Sequence, residues 1–425
     1  MNLQLKQLQS GAKILFAPMP ATDAVTVMFL FGVGSRYEKA ADGGMAHFIE
    51  HMMFKGTKKR PKQIDISIAL DKIGAQFNAF TSKEYTGYYA NSSADNFSAV
   101  TEILADMLKN SRFAANEIER EKGVITEELR MNKDTPMRHI LDLFENTLFG
   151  ETPLGYSIGG TEKTVNSVTR PQMMKYYKDH YRTNNLLVVV AGNFNTAKVT
   201  QEINNKLRGF PEGKVLDPIP YKRIHDAPTF ALEYKETNQA HIALGFPSLN
   251  ITDSRVPTAD ILDSILGGMM SSRLFIEVRE RLGLAYYVRA MSEPYLDTGA
   301  FIVQAGLNPK KTVAGIKAIQ KELINITKKK ISAAELNKAK EHIKGHLILE
   351  LETSGMTAQW LGLRTILTGD LTDMHEYLDA IQKVTVAQVQ ELAQEIFSKP
   401  QTLAIIGPYK KEDDFKKLIE QKLIR

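Results

Sequence analysis

The stretch VTRPQ at residues 168–172 returns as VTVAQ at residues 384–388, an offset of 216 positions. Each stretch opens a helical pattern that leads to an apolar strand and then to a glycine. These two glycines, Gly192 and Gly407, lie 215 positions apart. Self-similarity at one fixed offset is the signature of a duplicated structural unit.

A third pair of similar stretches gives nearly the same offset. AANEI at residues 114–118 matches AAEL at residues 333–336, and Glu117 lies 218 positions before Glu335. Strand-like and helix-like segments alternate along both halves. We therefore predict the α+β class: two tandem homologous α/β-sandwich domains, each an antiparallel-rich mixed sheet packed by helices.

The boundary between the two halves is marked by proline and glycine, which are dense over residues 209–220. Such composition is typical of an exposed linker. A chain of 425 residues is also too long for one ordinary core. We predict a first domain at residues 1–215, a linker at 216–228 and a second domain at 229–425.

Local patterns predict the elements of the first half. We expect strands at residues 12–17 and 24–31, a hairpin or edge-strand pair within 77–90, and helices at residues 44–53, 64–73, 95–109 and 115–131.

Composition excludes several classes of protein. Apolar residues make up 43% and charged residues 24% of the chain, which is ordinary for a globular protein. The net charge of +5 and the lack of basic runs with interleaved aromatics argue against nucleic acid. No apolar run is long enough for a membrane span, and no apolar signal region opens the chain. A cytoplasmic location is expected.

The stretch HFIEH at residues 47–51 predicts a metal site. His47 and His51 are four residues apart, so both imidazoles lie on one helical face and can reach a single ion. Glu50 shares that face and is placed to accept a proton from water. Because the chain has no cysteine, any further ligand must be a histidine or a carboxylate.

The acidic helix that follows offers candidates for the third ligand. Glu121 and Glu128 are seven residues apart and share a face, whereas Glu127 points about 100° away from Glu128. A solvated acidic face is the usual explanation of such a pattern. The residues themselves do not decide between Glu127 and Glu128.

The motif, followed by MMFKGT at residues 52–57, resembles the inverzincins of the pitrilysin and mitochondrial-processing-peptidase family, peptidase family M16, in its small two-domain bacterial form. The resemblance implies one zinc ion per chain, bound by His47, His51 and a glutamate about 76 residues beyond the second histidine. That spacing selects Glu128. A family glutamate seven residues earlier, here Glu121, supports the site from the outer shell.

The resemblance extends over the second half and to the substrate strand. GGMMSSRLF at residues 267–275 resembles the glycine-rich segment of the family. Arg279 and Tyr286 match a pair that binds substrate and stabilises the oxyanion in the family. The strand along which the family lays its peptide matches Asn78, Ala79, Phe80 and Thr81.

The function that the resemblance implies is zinc-dependent endopeptidase activity, in which Glu50 activates a zinc-bound water to hydrolyse peptides or unfolded segments. The family's working unit is a clamshell of four such domains, and this chain supplies half of it. A homodimer is therefore expected, or a heterodimer with a related zinc-free subunit. The alternative is a non-catalytic structural or assembly subunit. His342 and His346, also four apart, are expected to be ordinary surface histidines.

Overall fold

The computed structural model describes residues 2–424 of the chain. The strands are β1 (Gln4–Gln7), β2 (Lys13–Pro18), β3 (Ala24–Phe31), β4 (Gln76–Thr81), β5 (Thr86–Ser93), β6 (Leu186–Gly192), β7 (Thr229–Tyr234), β8 (Ala240–Pro247), β9 (Ala285–Pro294), β10 (Gly299–Leu307) and β11 (Thr402–Gly407).

The α-helices follow the same chain order. They are α1 (Met45–Met53), α2 (Gln63–Asp71), α3 (Phe97–Asn110), α4 (Ala115–Lys133), α5 (Pro136–Phe149), α6 (Glu162–Ser167), α7 (Arg170–His180), α8 (Thr196–Leu207), α9 (Val256–Asp263), α10 (Thr312–Lys328), α11 (Ala333–Glu350), α12 (Ser354–Thr368), α13 (Met374–Lys383), α14 (Val386–Phe397) and α15 (Asp413–Lys416).

Shorter helical turns connect these elements. Two π-helical segments, Ser264–Gly268 and Phe275–Arg281, lie between α9 and β9. Turns of 3-10 helix occur at Ser35–Tyr37, Ala40–Asp42, Ala94–Asn96, Thr183–Asn185 and Pro309–Lys311.

The two sheets confirm the predicted fold class and the duplication. The first has the strand order β1-β2-β6-β3-β5-β4, and the second has the order β7-β11-β8-β10-β9. One pair in each sheet is parallel, β2 with β6 in the first and β7 with β11 at the edge of the second, and the other pairs are antiparallel. The second sheet thus repeats the first without a counterpart of β1. Strand β3 has the predicted bounds, and the expected pair within residues 77–90 is the β4–β5 hairpin.

The repeated stretches form the same local structure twice. Thr169 caps α7, and its backbone N–H donates a hydrogen bond of 2.9 Å to Oε1 of Gln172. Thr385 and Gln388 do the same for α14, with a corresponding distance of 2.8 Å. Each capping box satisfies donors that a helix start leaves unpaired. The strands that follow, β6 and β11, are buried along their whole length.

The chain forms two compact units whose segments are not contiguous. The first comprises residues 2–130, 157–219 and 348–373, and the second comprises 131–156, 220–347 and 374–424. The contiguous domains expected at 1–215 and 229–425 therefore differ from the units in two segments. The reason is that an amphipathic helix belongs to the sheet it covers: α5 packs on β7, β8 and β11, and α12 packs on β2, β3 and β6.

Each unit has its own apolar core. In the first unit, one cluster lies between the sheet and helices α1, α3 and α7, and another lies between the opposite sheet face and α12. In the second unit, Ile140, Phe144 and Leu148 of α5 are buried against the sheet. Between residues 2 and 424, no helix is both long and apolar enough to cross a bilayer. The cytoplasmic location stays a prediction.

Candidate metal centre

Helix α1 carries the HFIEH motif and begins at a glycine. Gly44 precedes the helix with φ of 92°, and a Cβ at this position would lie 2.5 Å from the Gly159 carbonyl oxygen. The buried carboxylate of Glu38 accepts hydrogen bonds from Gly44 N at 2.8 Å and Ala46 N at 2.6 Å. These bonds pair two of the donors that the helix start leaves open. They fix the position of the turn from which His47 projects.

The structure brings His47, His51 and Glu128 together. The two Nε2 atoms lie 3.2 Å apart. The Oε2 atom of Glu128 lies 3.7 Å from Nε2 of His47 and 3.4 Å from Nε2 of His51. One potential ligand atom from each residue falls within 4.8 Å of the other two. The sequence had placed these residues on two separate helices, α1 and α4, and the fold brings their ligand atoms together.

The spacing of these atoms fits zinc. Ligands bound to tetrahedral zinc at about 2.0–2.1 Å lie about 3.3 Å from one another. The three observed separations, 3.2, 3.4 and 3.7 Å, lie close to that value. Two imidazoles and one carboxylate are also a set that catalytic zinc sites use, with a fourth position left open. The donor set and its geometry therefore fit a zinc ion.

Glu127 is not part of this group. Its Oε1 atom pairs with Arg130 at 2.7 Å, and its side chain is 72% exposed. Glu128, one residue further along α4, faces the two histidines instead. The structure thus separates the two glutamates between which the helical pattern did not decide.

Glu121 lies behind His51 and contacts its ring. Its Oε1 atom is 2.8 Å from Nδ1 of His51, and its Oε2 atom is 2.7 Å from Nζ of Lys55. Burial opposes ionisation of Glu121, but the bonds with His51 and Lys55 outweigh it and lower its pKa. The carboxylate accepts a hydrogen bond from Nδ1–H of His51, so Nε2 of His51 is the atom left for a metal.

The two histidines have different surroundings. Burial, together with the nearby His51, lowers the pKa of His47 to about 4. Its Nδ1 atom is buried and bonds to no described residue. Burial also disfavours the charged form of His51, but its hydrogen bonds with Glu121 and Glu128 outweigh this effect and raise its pKa to about 9. Without a metal, His47 therefore favours the neutral form, which is the form that binds metals, whereas a metal bound by His51 would displace a proton.

Glu50 lies on the same face of α1 as His47 and His51, and its carboxylate is held by a residue of β4. Its Oε2 atom accepts a hydrogen bond of 2.6 Å from Oγ1 of Thr81. Burial raises the pKa of Glu50, although the Thr81 hydroxyl acts in the opposite direction. A carboxylate with a raised pKa is better matched to proton transfer near neutral pH.

The four residues expected to bind substrate form most of β4, which is the outer strand of the first sheet. An outer strand has unpaired backbone groups along one side and can accept an extended peptide as a further strand. Asn78, Ala79, Phe80 and Thr81 therefore lie where such a peptide would pair.

Arg279 and Tyr286 lie together in the second unit. The Arg279 guanidinium carbon is 4.5 Å from the Phe275 ring centre and 5.9 Å from the Tyr286 ring centre. Arg279 belongs to the π-helical segment Phe275–Arg281, and Tyr286 is the second residue of β9. The Tyr286 ring is exposed. At the surface of this unit, the Arg279 guanidinium and the Tyr286 hydroxyl can both donate hydrogen bonds.

His342 and His346 lie on α11 with ring centres 4.1 Å apart and ring planes tilted by 52°. In the part of the chain that the structure describes, His47, His51 and Glu128 form the one group of three potential ligands. The second histidine pair is not part of such a group, and the expectation that these are ordinary surface histidines stays a prediction.

Comparison with known proteins identifies the family. The family model described as Insulinase (Peptidase family M16) matches residues 13–162, and the model described as Peptidase M16 inactive domain matches residues 167–343. An uncharacterized zinc protease of Streptomyces coelicolor is 34% identical over 409 residues, which are 95% of this chain and 89% of the relative. The chain belongs to peptidase family M16.

A second relative and a solved structure show how far the likeness extends. An uncharacterized zinc protease of Bacillus subtilis is 34% identical over 400 residues, covering 94% of this chain and 97% of the relative. The crystal structure of a protease from Helicobacter pylori matches with a TM-score of 0.90 at 24% identity, covering 96% of this chain and 99% of that one. At that identity the structural match concerns the fold. The first M16 model spans the whole candidate metal centre, and the second spans Arg279 and Tyr286.

Sequence reasoning missed Glu38, Lys55 and the contact between Thr81 and Glu50. All three depend on loops or on strand–helix packing, which residue spacing does not encode. One signal was present for Glu38, because an acidic residue shortly before a glycine-led helix can cap it from a distance.

Proposed function

We propose that this M16 chain is a zinc-dependent endopeptidase that hydrolyses peptides or unfolded segments. The observation that carries the proposal is the convergence of His47, His51 and Glu128, with Glu50 on the same helical face as the two histidines. Relatives that align over nearly the whole chain are named zinc proteases. One zinc ion per chain is part of the proposal.

His47, His51 and Glu128 would hold the zinc ion, which would supply Lewis-acid chemistry by polarising a carbonyl group and lowering the pKa of water. Glu50 is the group that moves protons. Its carboxylate accepts a proton from the attacking water and donates it to the nitrogen of the departing amine. Glu121 holds His51 in the required tautomer through Nδ1.

Substrate binding is proposed for β4 and for the Arg279–Tyr286 pair. A peptide added along β4 is held by backbone hydrogen bonds, which suits substrates of varied sequence. Arg279 and Tyr286 are proposed to donate hydrogen bonds to the oxyanion, the role that the family resemblance implies. We also propose a homodimer as the working form, with a heterodimer as the other outcome of a native-mass measurement.

The test is a Glu50→Gln variant, assayed for zinc content and for cleavage of an unstructured peptide. Glu119→Gln is the matched control, since Glu119 is exposed on α4 and pairs with Lys122. We expect Glu50→Gln to bind zinc like the wild type and to lose activity about 10²–10⁴-fold. Activity within a few-fold of wild type would overturn the role of Glu50.

The same assay separates the alternative of a non-catalytic subunit. A wild-type chain that binds zinc, forms a defined oligomer and cleaves no unstructured peptide, alone or as the dimer, would favour that alternative over the enzyme.

A further inference from the structure

Strand β4 has two faces with different neighbours. Phe77 and Ala79 pack against the core cluster that includes α1, whereas Phe80 packs against the cluster on the opposite sheet face. Side chains alternate along a strand, so Thr81 points to the same side as Phe77 and Ala79. This is the side on which α1 contacts β4.

The Thr81 hydroxyl contacts the carboxylate of Glu50. Oγ1 of Thr81 donates to Oε2 of Glu50 over 2.6 Å, and the two residues are 31 positions apart in the chain. Hydroxyl-to-carboxylate bonds of this length are charge-assisted and are stronger than bonds between neutral groups. A glutamate side chain has several rotatable bonds, and fixing one of its oxygens restricts the position of the other.

We propose that Thr81 is the positioning residue for Glu50, rather than a residue that recognises substrate through its side chain. This inference rests on the proposed function, because it assigns a proton-transfer role to Glu50. Thr81 holds Oε2, and Oε1 is the oxygen that exchanges protons with water and the departing amine. The outer strand that is proposed to receive the peptide thus also orients the general base.

The geometry favours this role over direct substrate contact. A peptide added to β4 pairs with backbone groups along its open side and leaves the inward-facing hydroxyl where it is. Loss of that hydroxyl should therefore slow the chemical step and leave peptide binding unchanged. A misplaced catalytic group costs rate even when all binding contacts are kept.

The experiment compares Thr81→Val with Thr81→Ser in the full-length chain. Valine keeps the shape of threonine without the hydroxyl, and serine keeps the hydroxyl without the methyl group. Thr200→Val is the control and should leave kcat and KM unchanged, since Thr200 lies in α8 and its hydroxyl donates to the carbonyl oxygen of Thr196 over 2.7 Å. Steady-state cleavage of an unstructured fluorogenic peptide gives kcat and KM, and elemental analysis gives zinc per chain.

We expect Thr81→Val to lower kcat about 10–100-fold with KM within about twofold and zinc content unchanged. Thr81→Ser should restore kcat to within about threefold of wild type. The proposal is overturned if Thr81→Val keeps wild-type kcat, changes KM instead, or loses zinc, or if Thr81→Ser is as slow as Thr81→Val.

Glu50→Gln, measured in the same series, distinguishes failure of the positioning role of Thr81 from failure of the proposed function. If Glu50→Gln is inactive while Thr81→Val is fully active, the positioning role fails and the proposed function stands. If Glu50→Gln itself cleaves peptide at the wild-type rate, the proposed function fails with it.

Discussion

Helices α4 and α11 are the same part of the repeat, offset by 218 positions, but their polar residues do different things. In α4, Glu121 contacts His51 and Glu128 belongs to the candidate metal centre. At the same positions α11 has Ala339, which is buried, and His346, which is exposed. The apolar framework is shared, since Ile118 of α4 and its counterpart in α11 are both buried.

Helices α7 and α14, which begin with the repeated capping box, also share their buried apolar positions. With an offset of 216, Met173 and Tyr176 of α7 correspond to Val389 and Leu392 of α14, and all four are buried. The repeat thus preserves apolar positions and helix starts. The two halves differ in a few polar side chains, such as Glu121 and Glu128 of α4, which contact His51 of α1.

The largest expected effect tests the carboxylate ligand of α4. Glu128→Gln replaces a charged ligand by a neutral one, and we expect it to lose most bound zinc and at least about 100-fold in cleavage rate, more than an outer-shell change costs. The controls are Glu127→Gln in the same helix and His346→Gln at the matching position of α11. If Glu127→Gln had the larger effect, the assignment of the third ligand would be wrong.

The next effect concerns the residue behind His51. Glu121→Ala copies Ala339 of the second half and leaves Nδ1 of His51 without its partner. We expect zinc affinity to fall about 10–100-fold, measured by competition with a zinc buffer. Glu119→Ala, an exposed change on the same helix, should leave affinity unchanged. Equal affinity for Glu121→Ala and wild type would contradict the outer-shell role.

A third difference between the halves depends on pH. Burial lowers the pKa of His180 in α7 to about 4, and the matching residue of α14 is the fully buried Ile396. Between pH 6.5 and about 4 the unfolded chain therefore binds a proton that the folded chain does not. The folded state loses stability as the pH falls through this window, by about 1.4 kcal/mol per pH unit.

The variant His180→Ile copies the second half and should remove this loss. Urea unfolding at pH 7 and pH 5.5 gives the comparison: the stability of His180→Ile relative to wild type should rise at the lower pH. A constant difference at both values would show that His180 is not the group that titrates.

The smallest expected effect is a difference in unfolding free energy between two ion pairs, one at the start of α4 and one at the start of α11. Arg273 contacts both carboxylate oxygens of Glu335, at 2.7 and 2.8 Å. Arg120 is 72% exposed and lies 3.3 Å from Glu117. We expect Arg273→Met to cost about 1 kcal/mol in unfolding free energy and Arg120→Met almost nothing. Equal costs, or any change in zinc content, would argue against this difference.

Much of the fold follows from short-range signals. The bounds of β3 and the starts of α7 and α14 depend on apolar runs and on capping residues that are neighbours in the chain. The assignment of α5 to the second sheet and α12 to the first does not, because an amphipathic pattern shows that a helix is covered and not which sheet covers it. The π-helical segments before β9 likewise have no simple period.

In the candidate site, too, some residues follow from sequence spacing and others depend on tertiary packing. His47, Glu50 and His51 follow from helical spacing, since all three lie on one face of α1. The choice of Glu128 over Glu127 needed either the family resemblance or the packing of α4 on α1. The contact between Thr81 and Glu50 arises from tertiary packing between strand and helix, and no residue spacing encodes it.

Whether the chain is a zinc-dependent peptidase is tested by following zinc content and peptide cleavage in one preparation. Zinc per chain and peptide cleavage are measured before chelation, after removal of the chelator, and after zinc is added back. We expect one zinc per chain, loss of both zinc and cleavage on chelation, and recovery of both at the same ratio. Cleavage that persists without zinc, or zinc at one per chain with no cleavage by the native assembly, would contradict it.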